Sequence, residues 1–311
     1  MPLRQTDEEQ ADFVRALQAV AEQEPLPQAE LDSLSMLEGG DLTRFDEAWS
    51  TLPAGARARL VRGLRDAAEQ RLRLDYSGVN RLALDDKDAE VRLAGIQSTI
   101  EDRSPALLAK LMDLVRSDPS VDVREAAAED LARFTLLAEL QDLDSDSTSA
   151  LRETLAGVAA DADQAPRVRT ASLAALGYFS DTDTAERLAT AFTDQTLRVG
   201  AVRGMGRTAD PRWTDRLMPV LGSEDPQLRE EAARALGEIE DERAAGPLVE
   251  IVDDPEPEVR LAVIDALGKI GGEEAREALL FLAEDVEDSI RTAAERALEE
   301  IEAAEGDPLD L

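Results

Sequence analysis

An arginine preceded by an apolar residue and followed by an Ala-rich run recurs seven times in this chain. The positions are Arg92, Arg124, Arg169, Arg198, Arg229, Arg260 and Arg291, with gaps of 32, 45, 29, 31, 31 and 31 residues. Self-similarity at a fixed period of this size marks a chain of stacked supersecondary units. No unit buries its apolar face alone, so each must pack on its neighbours. The expected fold class is therefore all-α, an α-solenoid of stacked helix-turn-helix repeats.

Aligning on the arginine gives a template. The preceding residue is Val91, Val123, Val168, Leu197, Leu228, Val259 or Ile290. Three residues after the arginine stands a small side chain, as at Gly95, Ala127, Ser172, Ala201, Ala232 and Ala294, with Val263 the exception. Seven after it stands Leu131, Leu176, Met205, Leu236, Leu267 or Leu298. These offsets share one helix face and make a single buried stripe. Small residues in that stripe let a neighbouring helix come close. The glycine one position further, at Gly177, Gly206, Gly237 and Gly268, reads as a helix C-cap. A preceding helix, best formed over residues 244–252, leads into an acidic turn with Pro255 and Pro257. Proline closes the first helix and an Asp can cap the second.

An Asp stands six residues before the arginine at Asp86, Asp118, Asp163, Asp254 and Asp285; Phe192 and Ser223 fill that place in the other two units. Apolar-Arg with this Asp, then Ala-Ala and Leu-Gly, resembles the HEAT repeat, in particular the short bacterial type named after phycobilisome lyases. The resemblance covers residues 80–304. It implies that Asp and Arg form a hydrogen-bonded ladder between adjacent units, giving the seven arginines a structural role. Asp254 is then the expected partner of Arg260, and the ladder is expected to break at Arg198 and Arg229.

Composition excludes several chemistries. With no Cys and no His, Cys/His zinc sites, disulfides, cysteine nucleophiles and the commonest general base are gone. Among relatives of the wider HEAT-like group, deoxyhypusine hydroxylase holds di-iron on paired His-Glu motifs, and that site has no counterpart here. The net charge of −34 opposes nucleic-acid binding, which depends on neutralising phosphates. No segment has the length and apolarity of a membrane span or a signal sequence, so the expected location is the cytoplasm. No phosphate loop, dinucleotide-binding loop or nucleophile elbow is present.

The expected organisation is an acidic helical N-terminal cap over residues 1–56, a repeat solenoid over 57–304 and a short tail over 305–311. Helices are expected over 7–22, 28–37 and 41–50, with the last repeat helix over 288–304. Residues 54–84 are locally basic through Arg57, Arg59, Arg62, Arg65, Arg71, Arg73 and Arg81, which suits pairing with the acidic cap. The long gap after Arg124 is expected to hold an insertion near residues 139–149.

Three constellations are candidates for function. Asp142, Asp144, Asp146 and Glu153 match the charged positions of a calcium loop, yet Ser147 stands where the sharp turn needs Gly, so a solvated acidic loop is the expected reading. Trp213, beside Arg203, Arg207, Arg212 and Arg216, is either an interface anchor or a core residue opening its helix. Residues one and five after each arginine point away from the buried stripe: Glu125 and Glu129, Glu230 and Arg234, Leu261 and Asp265, Thr292 and Arg296, with Arg203 in the middle unit. A variable exposed face on a constant stripe suits recognition. The expected function is a non-catalytic protein-binding scaffold without a cofactor, with a basic partner favoured by the acidic field. The resemblance implies the alternative, a lyase-type protein handling a bilin.

Overall fold

The computed structural model describes residues 17–18, 31–71, 74–284 and 287–305, and among these every regular element is a helix. The expected helix over 7–22 lies outside the described residues, apart from Leu17 and Gln18, as does the tail over 306–311. The chain forms two compact units, Met1–Leu131 and Ala132–Leu311.

The N-terminal unit contains α1 (Gly39–Trp49), α2 (Ala54–Gln70), α3 (Ser77–Leu84), α4 (Ala89–Gln97) and α5 (Pro105–Ser117), and α6 (Val121–Glu139) begins in it. Gly39 and Gly40 open α1, and of the helix expected over 28–37 only Leu31 and Asp32 are helical among the described residues. A single apolar cluster joins Phe45, Trp49 and Leu52 to Leu60, Leu64, Val79 and Val91. Residues 39–56 therefore share their core with the first repeat helices, and the expected boundary at residue 56 falls inside that cluster. Helix starts follow local chemistry. The Ser104 hydroxyl accepts from the Leu107 N–H with Pro105 at the first helical position, and the Asp88 carboxylate accepts from the Glu90 N–H. Both satisfy donors that a helix start leaves without partners.

The C-terminal unit contains α7 (Ser145–Ala160), α8 (Pro166–Leu176), α9 (Thr182–Ala191), α10 (Arg198–Arg207), α11 (Thr214–Leu217), α12 (Pro226–Ile239), α13 (Ala245–Val249), α14 (Pro257–Ile270), α15 (Gly272–Leu282) and α16 (Asp288–Glu305). Short 3-10 turns at Pro211–Trp213, Met218–Gly222 and Glu242–Ala244 flank α11 and α13. The first helix of these two repeats is thus short and broken, where the sequence pattern suggested one helix over 244–252. The second helices α8, α10, α12, α14 and α16 pack in succession. Leu188, Met205, Leu236, Leu267 and Leu279 lie in their common core.

The long gap after Arg124 is not a loop insertion. α6 has 19 residues and α7 has 16, against 10 for α10 and 14 for α12. The additional residues lengthen helices. Asp144 caps α7, its carboxylate accepting from the N–H groups of Asp146 and Ser147, and Glu153 lies well inside that helix. Of the carboxylates suggested for a calcium loop, Asp144 is therefore spent on a cap, Asp146 and Glu153 lie in α7, and Asp142 stays in the exposed turn before it.

Of the repeat glycines Gly177 stands at the C-cap of α8, whereas Gly206, Gly237 and Gly268 lie inside their helices. α12 runs past Gly237 to Ile239 and α14 past Gly268 to Ile270, while Glu240 and Gly271 take the positive φ values of 56° and 67° that stop them. The glycines lie where successive second helices touch. A Cβ on Gly206 would sit 2.6 Å from Ala235 Cα, one on Gly237 2.7 Å from Ala266 Cα, and one on Gly268 2.8 Å from Ala297 Cβ. Gly177 meets Gly204 in the same way, at 2.6 Å from its Cα. The glycine eight residues after one arginine faces the small residue six after the next, so backbone-to-backbone contact sets the repeat spacing.

Gly237→Ala is therefore expected to destabilise by about 1–3 kcal/mol through overpacking, although alanine favours helix. Gly157, in α7, has no heavy atom within 4 Å of a built Cβ, and Gly157→Ala should stabilise by about 0.5–1 kcal/mol. Denaturant midpoints of the two variants check both signs.

Candidate protein-binding face

At Arg92 and Arg229 the arginine comes from the start of a second helix and reaches the loop between the two helices of the next repeat. Arg92 donates from Nε and Nη2 to the Asp118 carboxylate at 2.7 and 2.8 Å, and from Nη1 to the Asp86 carbonyl at 2.7 Å. Arg229 repeats this with Asp254 at 2.7 and 2.8 Å and with the Ser223 carbonyl at 2.9 Å. Arg124 binds the Asp118 carbonyl at 2.5 Å and Arg260 the Asp254 carbonyl at 3.1 Å. Arg92 and Arg229 thus take the backbone oxygen six residues before them and the carboxylate of the following repeat. In turn, the rung carboxylate accepts the N–H two residues on, at Ser120, at Glu256 and, for Asp86, at Asp88.

The pairing therefore runs forward by one repeat from the expected pairs. The carboxylate of Asp254 belongs to Arg229, and Arg260 reaches Glu287 at 2.7 Å. The expected break at Arg229 does not occur, because Ser223 needs to offer that arginine only a carbonyl. Among the described residues Arg198 makes no ion pair; it stacks over Phe192, 4.7 Å from its centroid. In the two irregular repeats the turn carboxylate stands two residues from the expected place: Asp161 accepts from the N–H of Asp163, both exposed, and Asp194 accepts from that of Thr196. Arg169 donates from Nε to the Ala159 carbonyl at 3.0 Å, and its charge helps to lower the Asp194 carboxyl, after the hydroxyl and N–H of Thr196. Phe192 thus does not replace the aspartate there. Arg291 pairs with Asp288, and Asp285 lies outside the described residues.

Sequence reasoning passed over Arg57. It is 2% exposed and donates to Asp86 at 2.7 and 2.8 Å, while its Nη1 binds the Leu52 carbonyl and the Trp49 indole N–H reaches Asp86 at 2.9 Å. The apolar Ala56 before it and Leu64 seven after it carry the repeat template and would have revealed it.

The candidate face residues fall in two places. Glu125 and Glu129 lie on α6 within the N-terminal unit. The others share one side of α10, α12, α14 and α16. Arg203 pairs across helices with Glu231, and Asp265 takes Lys269 at 2.8 Å and Arg296 at 3.7 Å. Arg234 pairs with Glu230 at 2.7 Å along α12. A polar groove of about 370 Å³ is lined by Arg203, Arg207, Glu230, Glu231, Arg234 and Glu238. Burial pushes the Glu238 carboxyl above its ordinary range, against the pull of Arg207 and Lys269. Glu231 and Glu238 were not foreseen because their offsets from the arginine place them beside the stripe. Trp213 is a core residue, 6% exposed, and drops out as a contact anchor. In the N-terminal unit a cleft of about 690 Å³ lies among Arg65, Tyr76, Asn80, Arg81, Ile100 and Arg103. Among the described residues no group of three or more acidic side chains is placed to hold a metal, and no helix is long and apolar enough to cross a membrane.

These units define an all-α repeat architecture, an α-solenoid of helix-turn-helix units. The family model for HEAT repeats matches residues 193–256 and 214–299. That stretch, residues 193–299, is built of HEAT repeats. No curated protein matches it in sequence. Among solved structures it is similar to Kap95p, in a structure on Kap95p binding to RanGDP, at TM-score 0.50 and 15% identity over 94% of this chain and 46% of that one. Importin beta matches at TM-score 0.49 and 16% identity over 94% and 44%, and human deoxyhypusine hydroxylase at 0.37 and 19% over 95% and 98%. At 15% identity the likeness to Kap95p is one of fold alone.

Arg92→Ala would leave Asp118 buried without its cation and is expected to cost about 3 kcal/mol. Arg198→Ala, which breaks no ion pair, should cost less than about 1 kcal/mol; urea titrations compare the two. The rungs also set a pH dependence. Arg229, and then the Glu256 N–H, hold the Asp254 carboxyl below its ordinary range. At Asp86 burial alone would raise the carboxyl, but Arg57, the Asp88 N–H and Trp49 together lower it. Arg243 and Thr214 bring Asp241 down to about 2. A carboxylate lowered on folding stabilises the fold above its unfolded value of about 3.9, and that contribution disappears as pH falls through the folded value. Melting temperature should fall progressively from about pH 4 to about pH 2.

Proposed function

We propose that this chain is a non-catalytic protein-interaction scaffold whose partner presents a basic segment to the second-helix face of the C-terminal unit. The observation that carries this reading is the division of labour within each second helix. One stripe is committed to glycine contacts and arginine rungs, and the side bearing Glu230, Arg234, Asp265 and Arg296 takes part in neither, its charged side chains pairing with one another. A net charge of −34 favours encounter with cationic surfaces. The fold shared with Kap95p, a RanGDP-binding protein, suits such a role. The bilin alternative draws no support from the proteins that match.

The test is affinity capture from the native host's lysate with the whole chain, beside a Glu230→Lys/Asp265→Lys variant of unchanged melting temperature. A protein retained by the natural chain, released at high salt and reduced at least about tenfold by the variant, about 1.4 kcal/mol, is the expected result. Equal retention by both would remove this face as the site. Retention of a coloured small molecule in place of a protein would overturn the scaffold reading.

A further inference from the structure

One rung of the ladder lacks its carboxylate. Arg229 meets the aspartate 25 residues on, Asp254. The residue at the same distance from Arg198 is Ser223. Ser223 is a rung residue in every other respect. Its carbonyl accepts from Arg229 at 2.9 Å, as the Asp86 carbonyl accepts from Arg92. Its Oγ accepts from the N–H two residues on, at Asp225, as the carboxylates of Asp118 and Asp254 accept at Ser120 and Glu256. Its backbone, at φ −63° and ψ 145°, matches that of Asp118 at φ −59° and ψ 134°. Only the carboxylate is missing.

The donors around that place are left open. Arg198 Nε is buried without an acceptor, as is the indole N–H of Trp213. Arg198 and Arg216 both lie over the Phe192 ring, at 4.7 and 5.6 Å from its centroid, and Arg216 is 5.7 Å from that of Trp213. Neither arginine pairs with a carboxylate among the described residues. Between Phe192 and Leu217 five arginines face three aspartates, a local excess of positive charge in an acidic chain. An unpaired, partly desolvated guanidinium beside an aromatic ring is a strong receptor for a planar anion.

We propose that the Arg198–Arg216 pair is a carboxylate-binding site, in which an external carboxylate takes the place that Asp118 and Asp254 occupy in the neighbouring rungs. The ligand class is a carboxylate because the same protein holds carboxylates in the equivalent rungs through Nε and Nη2. The source is either a small carboxylate or an acidic side chain of a bound chain. The site is independent of the face proposed for a basic partner.

The test is the melting temperature of the full chain in sodium acetate against sodium chloride at matched ionic strength, with Trp213 emission as a second readout. Acetate should raise the melting temperature by about 2 °C or more and change the emission. Arg216→Ala should lose the acetate increment. Ser223→Asp, which supplies the missing carboxylate internally, should melt higher than the natural chain and no longer respond to acetate. A pentapeptide with one aspartate, compared with its asparagine counterpart, separates the sources. If it stabilises more than acetate at equal concentration, the ligand is a protein side chain; if not, a small carboxylate. No acetate-specific increment in the natural chain, or an equal increment in both variants, overturns the site. So does a well-folded Ser223→Asp variant that melts no higher.

Discussion

Where a rung of the ladder is complete, one guanidinium ties a repeat to the next by three bonds in two places. In the rungs at Arg92 and Arg229, two bonds go forward to the aspartate of the following repeat and one goes back to the carbonyl six residues earlier. Arginine is suited to this because its planar fork binds a carboxylate bidentately while a further N–H remains available. A buried ion pair does not by itself make a fold more stable than apolar packing would, but one lost partner is expensive. The physical role consistent with this geometry is registry: it fixes which loop lies against which helix start. The glycine contacts then fix how near the second helices come. Together these two devices compensate for a chain whose aromatic content is only 3%.

The period, the buried stripe and the helical class were legible in the sequence because each depends on spacing along one helix. What the spacing could not show was direction across repeats. An aspartate six residues before an arginine looks like its partner, yet the loop geometry gives the arginine that residue's carbonyl and keeps its carboxylate for the previous repeat. The same difficulty hid the purpose of Gly206, Gly237 and Gly268. A glycine after the last stripe residue has the sequence signature of a cap, and only the neighbouring helix reveals a close approach. The insertion after Arg124 takes the form of longer helices, α6 and α7, joined by a short turn. Arg57 lay outside the expected repeats, although its local pattern fits them.

The candidate face was legible only as the complement of the stripe. Its side chains pair among themselves, Arg203 with Glu231 and Asp265 with Lys269 and Arg296, a network that no single helix predicts. Trp213 shows the opposite case, a residue with the composition of an interface anchor that the broken first helix turns into the core. The open place at Arg198 follows from the forward direction of the ladder. Pairing within the repeat would have assigned the defect to Phe192, whereas forward pairing assigns it to Ser223.

The forward direction of the ladder is the claim on which these readings rest. A double-mutant cycle on Arg229 and Asp254, set beside one on Arg260 and Asp254, measures it directly through unfolding free energies. The account predicts a coupling of about 2 kcal/mol or more for the first pair and near zero, within about 0.5 kcal/mol, for the second. A large coupling between Arg260 and Asp254 with none between Arg229 and Asp254 would contradict it.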